Sequence, residues 1–408
     1  MEEVLKLITV IAVIVFLIRK KWKLGYIMFL SSLLLGAVFD LSPIQIGKNL
    51  VLAVIDPITL RLMGIIIAVY VLSGVLTKIE SLKDLVDSLQ QLIKDYRLIL
   101  AFIPALLGLI PMPAGAMFSA PMVREVGERA NLTPEENTFV NYWFRHIWEF
   151  VWPLFPAIIL FAGLLKAEIR EVILIQSPLT IVAIIVGFIW EYKNLKKATN
   201  TVINKKYIFL NLKKLFLGIW PILLVIILVM AVKLDLLISL VLVILSLFVL
   251  NFKRLKFSKI KEIIRKDIDP GVIVLIAGIM IFQRILEVSG GIDIIPEVFA
   301  KLGVHPFITL FSIPFFIAMI TGISSAAIGV GLPILLPIIV VQGEVNLYYA
   351  LLAYTGSFIG VMFSPVHLCL VVTRNYFKSD LSQIYKMLIL PLTTIALTAF
   401  ILVIIGTH

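Results

Sequence analysis

Three polar side chains interrupt an otherwise apolar stretch of the chain. Within residues 139–156, FVNYWFRHIWEFVWPLFP, Asn141, Arg145 and Glu149 recur every fourth position, so a helix carries them on one stripe. A charge held in hydrocarbon costs about 2.5–3.5 kcal/mol on insertion scales, which makes such residues functional candidates. The chemistry open to this set is the binding of ions. Arg145 can partner an anion such as a carboxylate, while Glu149, with the His146 imidazole beside it, can carry a coupling cation. A second reading stands beside this one: Arg145 and Glu149 have the spacing of a structural ion pair between packed helices. His146 likewise reads as a coupling group or as a hydrogen-bonding member of the bundle. Trp143, Trp148 and Trp152 read as packing or interface anchors, or as a cage.

Enzymatic chemistry is poorly supplied. The chain has no His-Glu-x-x-His, no Gly-x-Ser-x-Gly and no P-loop pattern. His146 and Glu149 are close enough to share a metal, but His305, His367 and His408 are dispersed, so no metal, cofactor or catalytic site is expected. Cys369, the only cysteine, excludes an internal disulfide and is expected to pack in the core.

These residues need elements to hold them, and composition says what kind. Of 408 residues 61% are hydrophobic, and the mean hydropathy is +1.09. Soluble domains hold about half or less, so this is a polytopic membrane protein. Runs near 3–18, 25–39, 58–77, 138–164, 171–190, 215–232, 234–251, 270–288, 346–372 and 386–405 predict ten spans. They are continuous rather than alternating, which indicates helices and excludes an outer-membrane barrel.

The net charge of +11 sits in short loops between spans. Clusters at 19–23, 193–214 and 253–266 fall on one side of a ten-span threading, which makes that side cytoplasmic and leaves both termini outside. The balance is therefore an orientation signal and not a nucleic-acid surface. The first run has no small-residue cleavage site and reads as a retained anchor. The segment 81–96 fits an amphipathic helix on the cytoplasmic surface.

The chain also repeats itself. Asp56-Pro57 recurs as Asp269-Pro270, Ile103-Pro104 as Ile313-Pro314, and Pro121, Tyr142 and Pro153 as Pro333, Tyr354 and Pro365, at shifts of 210–213 residues. Two halves follow, 1–191 and 215–408, joined by a cytoplasmic linker at 192–214. Five spans each is an odd number, so the second half is inverted relative to the first, an arrangement common in secondary transporters.

Each half carries apolar pieces too short to span singly. They predict re-entrant hairpins at about 97–126, with a tip at Pro111–Gly115, and about 305–341, with a tip at Thr321–Ser325. Broken helices are expected at 138–164, around Pro153 and Pro156, and at 346–373, around Gly356, Gly360 and Pro365. A helix starting after a hairpin tip points its positive end at the centre and favours anions there. Unwound carbonyls, with Thr355, Ser357 and Ser364 nearby, suit a cation. Arg284 reads either toward the cavity or outward to the interface.

The stretches PMPAGAMFSAPMV, NYWFRHIWEFVWPLFP and TGISSAAIGVGLP together resemble a prokaryotic membrane-protein family known only as a domain of unknown function. That family is similar to the ion transporter superfamily, which includes gluconate, citrate and dicarboxylate transporters. The resemblance implies an inverted-repeat fold, frequently a homodimer, in which a transport domain slides against a scaffold as an elevator. It implies a site lined by the tip positions Pro113, Ala114, Gly115, Thr321, Gly322, Ser324 and Ser325 and by the breaks near 149–153 and 360–365; the residues themselves add Ser119, Asn141, Arg145 and Ser357 as substrate-binding candidates and His146, Glu149, Thr355 and Ser364 as ion-coupling candidates. Sodium-dicarboxylate members carry a Ser-Asn-Thr triplet at tips and breaks, and this chain does not.

The expectation is an all-α, multi-pass protein of the cell membrane that carries a small organic anion by secondary active transport. The coupling ion is H+ or Na+, and no cofactor or nucleic acid is involved. The alternative is a membrane subunit that works only with a soluble binding protein.

Overall fold

The computed structural model describes residues 2–20, 22–79, 88, 92–93, 95–110, 115–194, 208–252, 255, 261–263, 265, 268–291 and 303–406. Most of the amphipathic segment expected at 81–96 lies outside the described residues.

The first half begins with α1 (Glu2–Arg19), α2 (Leu24–Val38), α3 (Pro43–Ile55) and α4 (Pro57–Lys78). The helix starts follow local chemistry. Ser42 and Gln45 form a reciprocal capping box ahead of α3, and Asp56 accepts from the Ile58 N–H with Pro57 at the first helical position of α4. Next come α5 (Tyr96–Gly108) and α6 (Ala116–Arg129), which pack together as a helical hairpin. A second capping box, Thr133 with Glu136, starts α7 (Pro134–His146). Turns over 147–155 separate it from α8 (Pro156–Leu165), and α9 (Ile169–Asn194) closes the half.

The second half repeats this punctuation. It opens with α10 (Ile208–Ile226), which continues as a π-helical turn over Ile227–Ala231, and α11 (Leu236–Leu250). Residues 208–214, expected in the linker, instead begin α10. Asp269 caps α12 (Pro270–Val288) as Asp56 caps α4. A second helical hairpin follows, α13 (Pro306–Thr321) and α14 (Ser324–Ile339), with a tip of only two residues. Two-residue strands β1 (Val340–Val341) and β2 (Glu344–Val345) pair antiparallel before α15 (Leu347–Phe363). Residues 364–367 break the helix, and α16 (Leu368–Phe377) and α17 (Leu381–Gly406) complete the chain. Lys166 and Lys378, which end α8 and α16, both adopt the left-handed conformation.

Among the described residues, six helical stretches are long and apolar enough to cross a membrane: 57–78, 169–191, 208–231, 270–288, 347–377 and 381–406. Ten spans were expected. The difference lies in interruption and length: α7 and α8 are separate pieces of 13 and 10 residues, and α2 and α11 reach only 15 each. At 1.5 Å per residue, 15 residues cover about 22 Å, short of a hydrocarbon core of about 30 Å. The surface still reads as lipid-facing, with Val249, Leu250, Leu390 and Ile405 exposed while Asn141, Thr355 and Ser357 are fully buried. This is an α-helical membrane protein.

The hairpins interlock across the halves. Arm α6 of the first packs on α16, and arm α14 of the second packs on α8. Helix α13 lies tightly along α15 for a stated reason: a Cβ on Gly356 or Gly360 would sit 2.1 Å from the Phe311 carbonyl oxygen or 2.2 Å from that of Phe315. Both glycines lie inside a continuous helix, so of the three positions named for this break only Pro365 falls in it, at 364–367. They allow close approach and do not unwind the chain.

One hydrophobic core runs through α1, α2, α5–α9 and α12–α17. A second joins α4, α10 and α11 with the first break and part of α8.

Candidate functional site

Both helix breaks and the tip of the second hairpin meet around a cavity of about 410 Å³. Arg145, His146 and Glu149 border it from the end of α7, Thr321–Ser325 from the hairpin tip, and His367 and Cys369 from the second break. Asp269, Tyr70 and Tyr354 complete the polar wall.

The two charges of the stripe are not paired with each other. Arg145 Nη1 donates to the Leu107 carbonyl oxygen at 2.9 Å, and among the described residues no ion pair joins it to a carboxylate. Glu149 Oε2 instead accepts from Ser324 Oγ at 3.2 Å, and its Oε1 lies 3.9 Å from His146 Nε2. Glu149 therefore binds the hairpin tip of the other half. Asn141, one turn earlier, is fully buried away from the cavity, where Nδ2 donates to the Ala116 carbonyl oxygen and to Thr373 Oγ1. The stripe thus divides into two cavity-facing members and one that ties α6 to α16.

The remaining expected site residues separate in the same way. Thr321, Gly322, Ser324 and Ser325 border the cavity. Gly115 precedes α6, and Ser119 Oγ donates to the Ala116 carbonyl oxygen; neither is in the cavity wall. Pro113 and Ala114 lie outside the described residues. Thr355 bonds the Leu351 carbonyl within its own helix, Ser357 Oγ donates to the Ser324 carbonyl at 3.4 Å behind the tip, and Ser364 Oγ accepts from the Val366 N–H within the second break. None of these three borders the cavity. Arg284 reaches Asn49 on α3. Each tryptophan N–H donates to a backbone carbonyl: Trp143 to Ala183, Trp148 to Ala105 and Trp152 to Leu109.

Three helices begin at this cavity with no side-chain cap: α8 at Pro156, α14 at Ser324 and α16 at Leu368. Several other helices are capped by Ser, Thr, Asp or Asn, although α2 and α6 are also uncapped. First-turn N–H groups left free and pointed at one space give it positive character.

Of the histidines expected to be dispersed, His367 joins His146, while His305 caps α13 and His408 lies outside the described residues. His146 Nε2 and His367 Nε2 are 3.1 Å apart, and Cys369, expected only to pack, lines the same wall. Sequence reasoning missed this group because the repeat does not pair it: the position in the first half that matches His367 is Phe155. The signal available was the placement of His367 and Cys369 directly after the Pro365 break.

A family described as "Protein of unknown function (DUF401)" matches residues 2–405. The chain belongs to the DUF401 family. That match covers both hairpins, both breaks and every described residue of the cavity wall. No curated protein matches the chain with significance.

Proposed function

We propose that this DUF401 protein is a secondary active transporter for a small organic anion, driven by an H+ or Na+ gradient. The observation that carries the reading is Arg145: a buried guanidinium, 5% exposed, borders the cavity with a backbone carbonyl and, among the described residues, no carboxylate as its partner. A guanidinium offers five donors in a fork that matches a carboxylate. The three uncapped helix starts add dipolar attraction for the same charge. Glu149, held by Ser324, supplies a negative group for the coupling cation beside the anion.

The two halves are read as inverted five-span repeats, as in the ion transporter superfamily, with re-entrant hairpins and an elevator motion. A pair of hydrogen bonds supports this. Tyr142 Oη donates to the Val361 carbonyl at 3.3 Å, and Tyr354 Oη donates to the Glu149 carbonyl at 2.8 Å. Donor and acceptor of the second bond are those of the first exchanged between halves at the 212-residue shift. The division into two hydrophobic cores is consistent with a scaffold centred on α4, α10 and α11, and a homodimer formed through the scaffold fits the proposal. Both termini face outward in the cell membrane.

The test is uptake of a labelled panel of small carboxylates into proteoliposomes under imposed proton and sodium gradients. Gradient-driven flux of at least one anion is expected. Absence of flux for every anion would sink the reading, and flux only in the presence of a soluble binding protein would convert it to the subunit alternative.

A further inference from the structure

The meeting of His146 with His367 gives the cavity a second kind of chemistry. His146 Nδ1 lies 2.6 Å from the Tyr142 carbonyl oxygen, and His367 Nδ1 lies 2.7 Å from the Gly322 carbonyl oxygen. A carbonyl only accepts, so each Nδ1 carries its ring proton and each Nε2 presents a lone pair. Those two lone pairs face each other across 3.1 Å. Neutral imidazoles do not hold that arrangement without a shared proton or a cation between them. Cys369 decides between the two: its sulfur and one nitrogen of each histidine all lie within 4.8 Å of one another. A proton shared within this group engages only two of its atoms at a time, whereas a zinc-type ion takes the sulfur and both nitrogens as ligands.

The geometry fits such an ion. Zinc–nitrogen distances of about 2.0–2.1 Å in a tetrahedron put two imidazole nitrogens about 3.4 Å apart, close to the separation seen, and a thiolate at about 2.3 Å completes a third corner. Glu149 Oε1 lies 3.9 Å from His146 Nε2 but outside this three-residue group, so a shift of its side chain would bring it to the fourth corner. Both imidazoles are oriented by a carbonyl on the far nitrogen, which is the usual outer-shell support of a metal-ligating histidine. Charge also balances. His146, Cys369 and Glu149 are each more than 90% buried, and one thiolate with one carboxylate neutralises a divalent ion where an unbalanced charge is costly.

We propose that His146, His367 and Cys369, with Glu149 as fourth donor, form a binding site for one zinc-class transition-metal ion at the junction of the two helix breaks. Nitrogen and sulfur donors select zinc or cobalt over sodium, magnesium and calcium. Binding converts the Cys369 thiol to a thiolate and releases its proton to solvent. Gly322 lets the tip approach: its φ is +69°, and a Cβ there would meet the His367 nitrogen at 2.8 Å. The inference rests on this geometry and holds with or without anion transport.

The experiment uses tag-free, full-length protein in detergent, stripped with chelator and titrated with Co2+. One equivalent is expected to bind with tetrahedral d–d bands and a thiolate-to-cobalt charge-transfer band, and Zn2+ is expected to displace it. The chain has a single cysteine, so that charge-transfer band reports Cys369 alone. Cys369→Ser should abolish the band, and His367→Ala should weaken affinity by at least about 100-fold, the upper range for loss of an outer-shell partner. Both variants are checked for a folded state by size-exclusion elution. Absence of stoichiometric Co2+ or Zn2+ binding by the parent protein would overturn the site and leave a shared proton between the histidines. A charge-transfer band that survives Cys369→Ser would overturn it equally. Metal binding without anion flux would retain the site and remove the transport reading, and the reverse result would do the opposite.

Discussion

Arg145 and Gly322 show how single residues set the cavity. Among the described residues Arg145 makes one hydrogen bond, to the Leu107 carbonyl, and it borders the cavity. Removing a desolvated partner of a charged ligand costs about 2–5 kcal/mol, so Arg145→Ala should weaken carboxylate binding by about 30-fold or more. Arg145→Lys keeps the charge but loses the planar fork and should fall between the two. Isothermal titration with whichever anion shows flux checks both, and unchanged affinity in the alanine variant would reduce Arg145 to a structural part. Gly322 is under a backbone constraint instead. A non-glycine residue at φ +69° is strained by about 1–3 kcal/mol, and the added methyl would press on the backbone of His367. Gly322→Ala should therefore lower the thermal unfolding midpoint in detergent; an unchanged midpoint would mean that the tip relaxes freely.

The contact of α13 with α15 is set at the scale of elements. It depends on Gly356 and Gly360, where the facing atoms are backbone oxygens that cannot rotate away. Gly360→Ala should force the helices apart at about 1–3 kcal/mol of overpacking. Gly331 on α14 is the control, because its nearest neighbour to a Cβ is 3.5 Å away, and alanine there should be neutral or stabilising by up to about 1 kcal/mol. Thermal unfolding of the pair separates close approach from general helix propensity. If Gly360→Ala matched Gly331→Ala, the tight interface would not be a constraint.

For the molecule as a whole, orientation follows from where the basic residues lie. The clusters at 19–23, 193–214 and 253–266 share one side of the proposed threading, so both termini should be outside. A C-terminal alkaline phosphatase fusion should be active and a green fluorescent protein fusion dark, with the reverse for insertions at 195–207. The opposite pattern would invert the threading and exchange the sides from which the hairpins enter.

What the sequence determined alone is what neighbours along the chain decide. Long apolar runs specify a membrane protein, Asp-Pro and Thr-Pro-Glu-Glu specify helix starts, and paired prolines specify the interruption after His146, all through local sterics and hydrogen bonding. It also grouped Arg145 with Glu149, and both border the cavity, although Glu149 lies in the turns beyond the end of α7. Tertiary structure alone decided what that pair faces. Glycine signals unwinding or close approach equally well in a sequence, and only the backbone of α13 against Gly356 and Gly360 selected the second. A cysteine in an apolar run looks the same whether it packs or lines a cavity. His146 and His367 are 221 residues apart with no spacing to connect them. They meet because the two helix breaks line one cavity, and the meeting of distant segments is a property of packing that no local pattern records.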